Sequence, residues 1–429
     1  MMPALDGLLA PDDVLPQRDR LLDPHAVAWR LAEASGMSKV SRCELLRTDY
    51  RFGRRLRVLH RERIGSRWRW VVGRAYPEGQ SEEAFRQAVA TGTPTPTRGQ
   101  HRNVVHARAL GAVFWTFPSD RKLIRLAREL RDLRALARRL GGPGSGARVV
   151  GYKPEKSVVV ELHDRRGRRL AYAKIYKEGL GERARGIHTW LARQVSPDHP
   201  RLRLATPLVS TAAAEPLVLE AITGRRIADL GGREACSGVA RLGAALADFH
   251  SLTPPKGSSR FNRYDPERLA AAAELLAQAC PRVAREARTL VDELGRVEPS
   301  REPLACLHGD VHPKNGLLAG TRVALIDLDK TSRGDAAVDL GSFLSLLSYE
   351  RVLDRLAPAD ERARRRSFLE GYARVGSLPG PHTLRWHTAA ALLAEQAMRT
   401  VRQIRTDALP RLDRLLADAR RLLEGRDDG

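Results

Sequence analysis

Cysteine is scarce in this chain. Cys43, Cys236, Cys280 and Cys306 are the four in 429 residues, and they stand far apart. No pair has zinc-ligand spacing, and so few cysteines cannot form a disulfide framework in a chain of this length. Lysine is scarce too: of 74 basic residues nine are lysine and 65 are arginine. Aromatic residues make up 5%, which leaves few stacking platforms for single-stranded nucleic acid. No run of about 18 uncharged apolar residues occurs, so no membrane-spanning helix is predicted. The start, Met1-Met2-Pro3-Ala4-Leu5-Asp6, lacks the basic region and apolar stretch of a signal peptide. These absences describe a reduced, cytoplasmic protein with no structural metal.

What is present in excess is positive charge. The net charge is +23 and the sequence pI is about 10.8. One reading is a functional basic surface for nucleic acid, an anionic membrane or an acidic substrate. The other is an Arg- and Ala-rich coding bias spread over solvated helix faces. The basic residues are dispersed rather than blocked, which favours the bias and makes nucleic acid the lesser alternative. Hydrophobic residues make up 42%, enough for a buried core.

The strongest local signal is His308-Gly309-Asp310-Val311-His312-Pro313-Lys314-Asn315, followed by the apolar run Val323-Ala324-Leu325-Ile326-Asp327. An acid stands five residues before an amide, and a second acid ends the next strand. Phosphoryl transfer from ATP needs this order: an Asp beside the attacking hydroxyl, an Asn on magnesium, and an Asp holding the metal that bridges the phosphates. Those roles fall to Asp310, Asn315 and Asp327. Either piece alone would be an ordinary turn or strand ending; the full string is not.

The string resembles the aminoglycoside phosphotransferase and choline kinase family, whose fold is similar to protein kinases. The next segment, Gly334-Asp335-Ala336-Ala337-Val338-Asp339-Leu340, also looks like that family's. The resemblance covers roughly residues 148–425 and is weaker in the amino-terminal lobe. It implies an α+β, protein-kinase-like two-lobe fold with a mixed small lobe and a mainly helical large lobe. It also implies ATP, or GTP in its place, and Mg2+. Asp339 resembles the structural acid that braces the catalytic loop, and Asp335 reads as the cap of the helix that follows. His250 reads as structural. Asp329 reads as a turn residue before a metal neighbour.

Four segments follow: an N-terminal cap domain at 1–140, a Gly-rich linker at 141–147, a small lobe with its hinge at 148–224, and a helical large lobe at 225–429. Strand-like runs at 158–162 and 170–176 form a hairpin. Lys174, late in its second strand, is the candidate for the ATP phosphates, with Lys177 as competitor. Glu182, opening the next helix, is the candidate partner of Lys174; an acid favoured in a first helical turn is the alternative. The run Pro216–Gly224 reads as the hinge, with the backbone at Glu220 and Ile222 against the adenine.

The first 140 residues echo the small lobe. Trp70–Tyr76 matches Leu170–Tyr176 at an offset of 100, which puts Arg74 in the place of Lys174 and Glu82 in that of Glu182. Tyr50-Arg51-Phe52 resembles Tyr152-Lys153-Pro154. Residues 45–140 therefore read as a degenerate copy of the small lobe, with Ser119 as N-cap of its last helix. Without a catalytic loop the copy cannot catalyse; it could cap the real small lobe, form a homodimer surface or line the substrate cleft.

The expected activity is phosphorylation of a hydroxyl on a small molecule. Members of the resembled family modify antibiotics, choline, amino acids and sugars, so antibiotic resistance is one context. Tyr152-Lys153-Pro154 also looks like maltokinase-like sugar kinases, which carry an extra N-terminal cap. The rivals are a protein kinase, a non-catalytic pseudokinase and a charge-driven nucleic-acid-binding protein. The first lacks its Asp-Phe-Gly and Ala-Pro-Glu segments here. Retention of Asp310, Asn315 and Asp327 argues against the second. The density of arginine after residue 345 points to a neutral or anionic acceptor rather than a polycationic one.

Overall fold

In the computed structural model the strands follow from β-branched and alternating sequence. The described residues are 5, 7–35, 42–91, 103–209, 216–255, 263–297, 299 and 303–426. They form two compact units, one within 1–181, 212–218 and 401–406, the other within 182–211, 219–400 and 407–429.

The first unit opens with helices Arg18–Leu22 and Pro24–Ser35. Strands β1 (Arg42–Arg51), β2 (Arg55–Ile64), β3 (Arg67–Ala75), β4 (Val104–Ala107) and β5 (Ala112–Thr116) follow, with helix Ser81–Thr91 between β3 and β4. They make one antiparallel sheet in the order β1-β2-β3-β5-β4. Short helices Leu126–Glu129 and Leu133–Gly141 come next, then β6 (Gly146–Lys153), β7 (Ser157–His163) and β8 (Arg169–Tyr176). β6, β7 and β8 pair antiparallel, and the strand Leu217–Glu220 lies beside β8. In β8, Ala171, Ala173 and Ile175 point into the core, so Lys174 lies on the opposite face.

The echo read in the sequence is a structural repeat, and it begins earlier than residue 45. Asp12 Oδ2 accepts from the Tyr50 hydroxyl at 2.7 Å and from Gly53 N–H at 3.1 Å. Asp120 Oδ2 accepts in the same way from the Tyr152 hydroxyl at 2.6 Å and from Glu155 N–H at 2.8 Å. The other oxygen of each Asp closes a turn, Asp12 with the N–H groups of Val14 and Leu15, Asp120 with those of Lys122 and Leu123. Gly53 and Glu155 occupy the same hairpin-turn position with φ of 62° and 60°. Glycine meets that left-handed geometry without strain, whereas a Glu there is held against its preference.

The helices before β1 and before β6 are therefore counterparts. Residues 120–141 open the second copy instead of closing the first. Ser119 is not their N-cap; Asp132 caps Leu133–Gly141 through Arg134 N–H and Ala135 N–H. The stretch 142–145 joins a helix and a strand inside the first unit, so the division of that unit falls differently from the linker read at 141–147. The copies share one apolar core. Leu59 and Val72 of the first pack with Leu126, Leu136, Val160 and Ala173 of the second, and Trp70 stacks on Tyr152 at 5.7 Å between ring centroids.

The second unit is mainly helical. Its long helices are Gly232–His250, Pro266–Ala279, Ala284–Arg296, Ala336–Val352, Pro358–Ala373, Pro381–Ala391 and Leu412–Leu423. Gly371 lets two of them touch: a Cβ there would stand 1.9 Å from the Ala240 carbonyl oxygen. Two small sheets carry the site. Leu304–Leu307 pairs antiparallel with Ser332–Asp335, and Gly316–Ala319 pairs antiparallel with Arg322–Leu325, which runs parallel to Leu202–Leu204. Among the described residues no helix is long and apolar enough to cross a membrane.

Candidate active site

The strand Leu304–Leu307 ends buried, with Cys306 and Leu307 at 0% exposure, and delivers His308, Gly309 and Asp310 to the edge of the core. The loop's shape is set by Asp339, fully buried in the first turn of helix Ala336–Val352. Its carboxylate accepts from His308 N–H at 2.7 Å and from Gly309 N–H at 3.0 Å. His250 Nε2 stands 3.2 Å from the same carboxylate, and its Nδ1 is 2.9 Å from the Tyr372 hydroxyl. Burial alone would raise the Asp339 pKa; the hydrogen bond to His250 and the nearby Arg263 outweigh it and hold the carboxyl below its ordinary range. Asp335 caps the helix through Ala337 N–H at 2.7 Å. His250, Asp335 and Asp339 thus fill the structural places the sequence suggested.

His308 links the two halves of the motif. Its Nδ1 accepts from Asp310 N–H at 3.2 Å and its Nε2 lies 3.1 Å from the carbonyl of Ile326, next to Asp327. This bonding assigns the proton to Nε2, and burial lowers the pKa further, so the ring is neutral. Gly309 has φ of 77°, and a Cβ there would meet the Lys330 carbonyl oxygen at 2.6 Å. Only glycine fits this crossing.

Asp310 keeps a quarter of its side chain exposed and meets Lys330 Nζ at 2.8 Å. Burial pushes its pKa up, but the Lys330 ammonium overcomes this and holds the carboxyl below its usual range. Asn315 is 8% exposed and donates from Nδ2 to the Asp310 carbonyl at 3.0 Å. That leaves Oδ1 as the atom able to hold a cation. Its own carbonyl accepts from Ile326 N–H at 3.0 Å, so Asn315 and Asp327 are brought together through one residue. Asp327 itself has φ of 61° and ψ of 50° at the head of the turn Leu328–Lys330. A β-carboxylate residue strained in this way is characteristic of functional positions. Asp329 lies 3.8 Å from His188 Nε2.

Among the described residues no group of three or more His, Cys, Asp or Glu could hold a metal alone. Magnesium does not need one. It keeps several waters and takes one or two carboxylates plus substrate phosphates, and the hard oxygens of Asn315 and Asp327 suit it.

The remaining candidates are placed less directly. Lys174 projects from the face of β8 opposite the core, with Nζ 5.1 Å from the Tyr176 ring centroid. Glu182 is exposed in the first turn of helix Leu180–Ala192, and the two residues fall in different compact units. The Glu220 N–H donates to the Thr206 carbonyl at 3.0 Å. Its side chain accepts from Thr206 N–H at 3.2 Å and pairs with Arg203 at 3.3 Å. Ile222 is 8% exposed and packs with Ala205 and Ala324.

Three residues at the site were not singled out from sequence. Lys330 is one. The others are Arg263 and Glu395: Arg263 donates to the Gly309 carbonyl and pairs with Glu395 at 2.8 Å. Glu395 also accepts from the Tyr264 hydroxyl and, at 2.9 Å, from Ser342. It lies in a π-helical turn, Leu392–Ala397, a distortion frequent at functional sites. One signal was present, a lone acid in an otherwise apolar helical run.

The model of the phosphotransferase enzyme family matches residues 157–387. No curated protein sequence matches the chain. Among solved structures the chain is similar to a macrolide 2'-phosphotransferase from Brachybacterium faecium, at 17% identity and a TM-score of 0.45, over 68% of this chain and 98% of that one. It is similar to a choline kinase from Cryptosporidium parvum at 12% identity and a TM-score of 0.46, over 66% and 91%. An aminoglycoside phosphotransferase from Streptomyces rimosus matches at 20% identity and a TM-score of 0.42, over 61% and 98%.

Proposed function

The chain belongs to the phosphotransferase enzyme family, and on that premise we propose that it transfers the γ-phosphoryl group of ATP, or of GTP, to a hydroxyl of a small molecule. The observation that carries this reading is the Asp310 carboxylate, which stands on a loop whose backbone the buried Asp339 holds and which is kept ionised by Lys330 at 2.8 Å. An ionised, partly exposed carboxylate on a rigid loop can orient an acceptor hydroxyl and take its proton as the oxygen attacks. Asn315 Oδ1 and Asp327 would hold magnesium. A cation held there would supply positive charge against the phosphate charge that develops during transfer. Lys174 would supply a cation to the α- and β-phosphates, and the Glu220 carbonyl an acceptor for the adenine amino group.

Lys330 permits a sharp test. Because its ammonium lowers the Asp310 pKa, Lys330→Ala should let that pKa rise. The acidic limb of the kcat/KM–pH profile is then expected to move to higher pH, with activity recovering as pH increases. An unmoved limb, with folding intact, would separate Lys330 from the base.

The acceptor is proposed to be neutral or anionic. Many arginines after residue 345 are neutralised locally: Arg351 pairs with Glu361 and Asp418, Arg355 with Asp407, and Arg365 with Glu361. What supports the reading instead is the charge at the loop itself. Lys330 and Arg263 touch it, and the fields of Arg399 and Lys314 both act on His312. The acids that might have formed a pocket for a cation are engaged, Glu350 with Arg355 and Asp354 with Arg411. Steady-state rates with sugars, nucleosides and acidic natural products, against polyamine aminoglycosides and amino alcohols, decide it. Sugars come first because Tyr152-Lys153-Pro154 resembles the maltokinase-like kinases. Efficient turnover of a polyamine with the neutral compounds inert would overturn the acceptor class. Absence of any acceptor together with absence of Mg-dependent nucleotide binding would overturn the enzyme.

A further inference from the structure

The first copy of the repeat retains a cation where the second carries Lys174. Arg74 of β3 stands at that place, and its cross-strand neighbour is Arg57 of β2. The apolar part of the same face is filled: Trp70 and Val72, on Arg74's side of β3, pack against the second copy. Its polar end is not filled with matching charge.

Two carboxylates hold that end together. Asp49 takes Arg55 at 2.8 Å, Arg57 at 2.7 Å and Arg402 at 3.0 Å. Glu155, in the hairpin turn of the second copy, takes Arg57 at 3.0 Å, Arg121 at 2.9 Å, Arg74 at 3.5 Å and Lys122 at 3.8 Å. Arg57 bridges the two carboxylates, so this is one network. Arg47 and Lys156 add two further positive charges to its field. Eight cations thus face three carboxylates, and the third, Asp120, is already taken up by neutral donors from Tyr152, Glu155, Lys122 and Leu123.

The excess shows in the hydrogen bonding. Arg55 Nε, Arg74 Nε and Arg402 Nε are buried without a hydrogen-bond partner. Buried donors of this kind are costly to leave unmade. Desolvation first, and then the neighbouring cations, lower the pKa of Lys122, Lys156 and Arg55 more than Glu155 and Asp49 restore it. Guanidinium forks match the geometry of phosphate oxygens, which could satisfy both the charge and the orphaned donors.

We infer that this network, around Arg55, Arg57, Arg74, Lys156 and Arg402, is a binding site for a phosphoryl chain, either free or carried on a nucleotide. The site belongs to the first copy and needs none of the transfer chemistry. It places an anion where duplication left the counterpart of the Lys174 position.

The test is calorimetric titration of the full chain with tripolyphosphate, and separately with ADP, both in EDTA. Saturable tripolyphosphate binding is expected in the wild type and in Lys174→Ala. Arg55→Gln, which leaves Asp49 held by Arg57 and Arg402, and Lys156→Gln are each expected to weaken it roughly tenfold. Equal charge removal at the exposed Arg362 and Arg366, as R362Q and R366Q, should leave it unchanged. ADP binding that survives Lys174→Ala and weakens in Arg55→Gln would assign a nucleotide-borne chain; binding of tripolyphosphate alone would assign a free one. No saturable binding, equal weakening by the Arg362 and Arg366 changes, or complete loss in Lys174→Ala would each overturn the inference.

Discussion

Asp310→Asn is expected to lower turnover by about 10²–10⁴-fold, the range in which a positioned general base contributes, while nucleotide affinity stays near that of the wild type. The amide keeps the size of the side chain but cannot take the acceptor's proton. The loop should hold its shape, because His308 and Asp339 bind its backbone rather than the Asp310 carboxylate. Lys330 loses a charged partner, but it is 58% exposed and can turn to water. Steady-state kinetics with calorimetry of Mg-nucleotide binding separates the effects. Turnover like that of the wild type would remove Asp310 from the chemistry; a matching loss of nucleotide affinity would mean that the substitution disturbed the metal side instead.

Asp339→Ala is expected to be the most destabilising single change near the site, costing several kcal/mol, since three buried groups lose their acceptor at about 1–3 kcal/mol each. It removes the acceptor of two backbone N–H groups and the partner of His250, and all of these lie too deep for water to replace it. Urea denaturation of the variant measures the loss, and a change within about 0.5 kcal/mol, the scale of surface substitutions, would contradict the brace. The same carboxyl predicts a pH dependence. Its folded pKa is depressed, so its stabilisation is fully present above the ordinary Asp range. It is lost as pH falls through the depressed value, because protonation must then precede or accompany unfolding. In Asp339→Asn the acid-side slope of stability should be shallower than in the wild type.

The closeness of Asp310, Asn315 and Asp327 was legible because their separation in sequence is short. Asp310, Asn315 and Asp327 are set by a loop and a short hairpin, within which a few residues of separation determine the geometry. The places of Asp339 and His250 came from the family resemblance rather than from spacing, because a brace and its partner lie far from the loop in sequence. The repeat was legible where strands align, at Arg74 against Lys174. Its true start was not, because Asp12 and Asp120 are single residues in unlike surroundings. Their shared role appears only when each is seen holding a tyrosine and a turn N–H.

By itself the sequence determined which groups stand close together, the carboxylates of Asp310 and Asp327 and the amide of Asn315, and that the chain is of the α+β class. Those follow from residue type and short-range spacing. The tertiary structure alone decided which charges survive as charges. Arg351 pairs across to two other helices, Arg355 with the turn residue Asp407 and Arg365 within its own helix, while Lys330 reaches Asp310 across 20 residues and Arg263 reaches Gly309 across 46. The reason is physical. A charge's effect depends on what lies within a few ångströms of it and on how much water is excluded there, and both are set by chain segments that are remote in sequence.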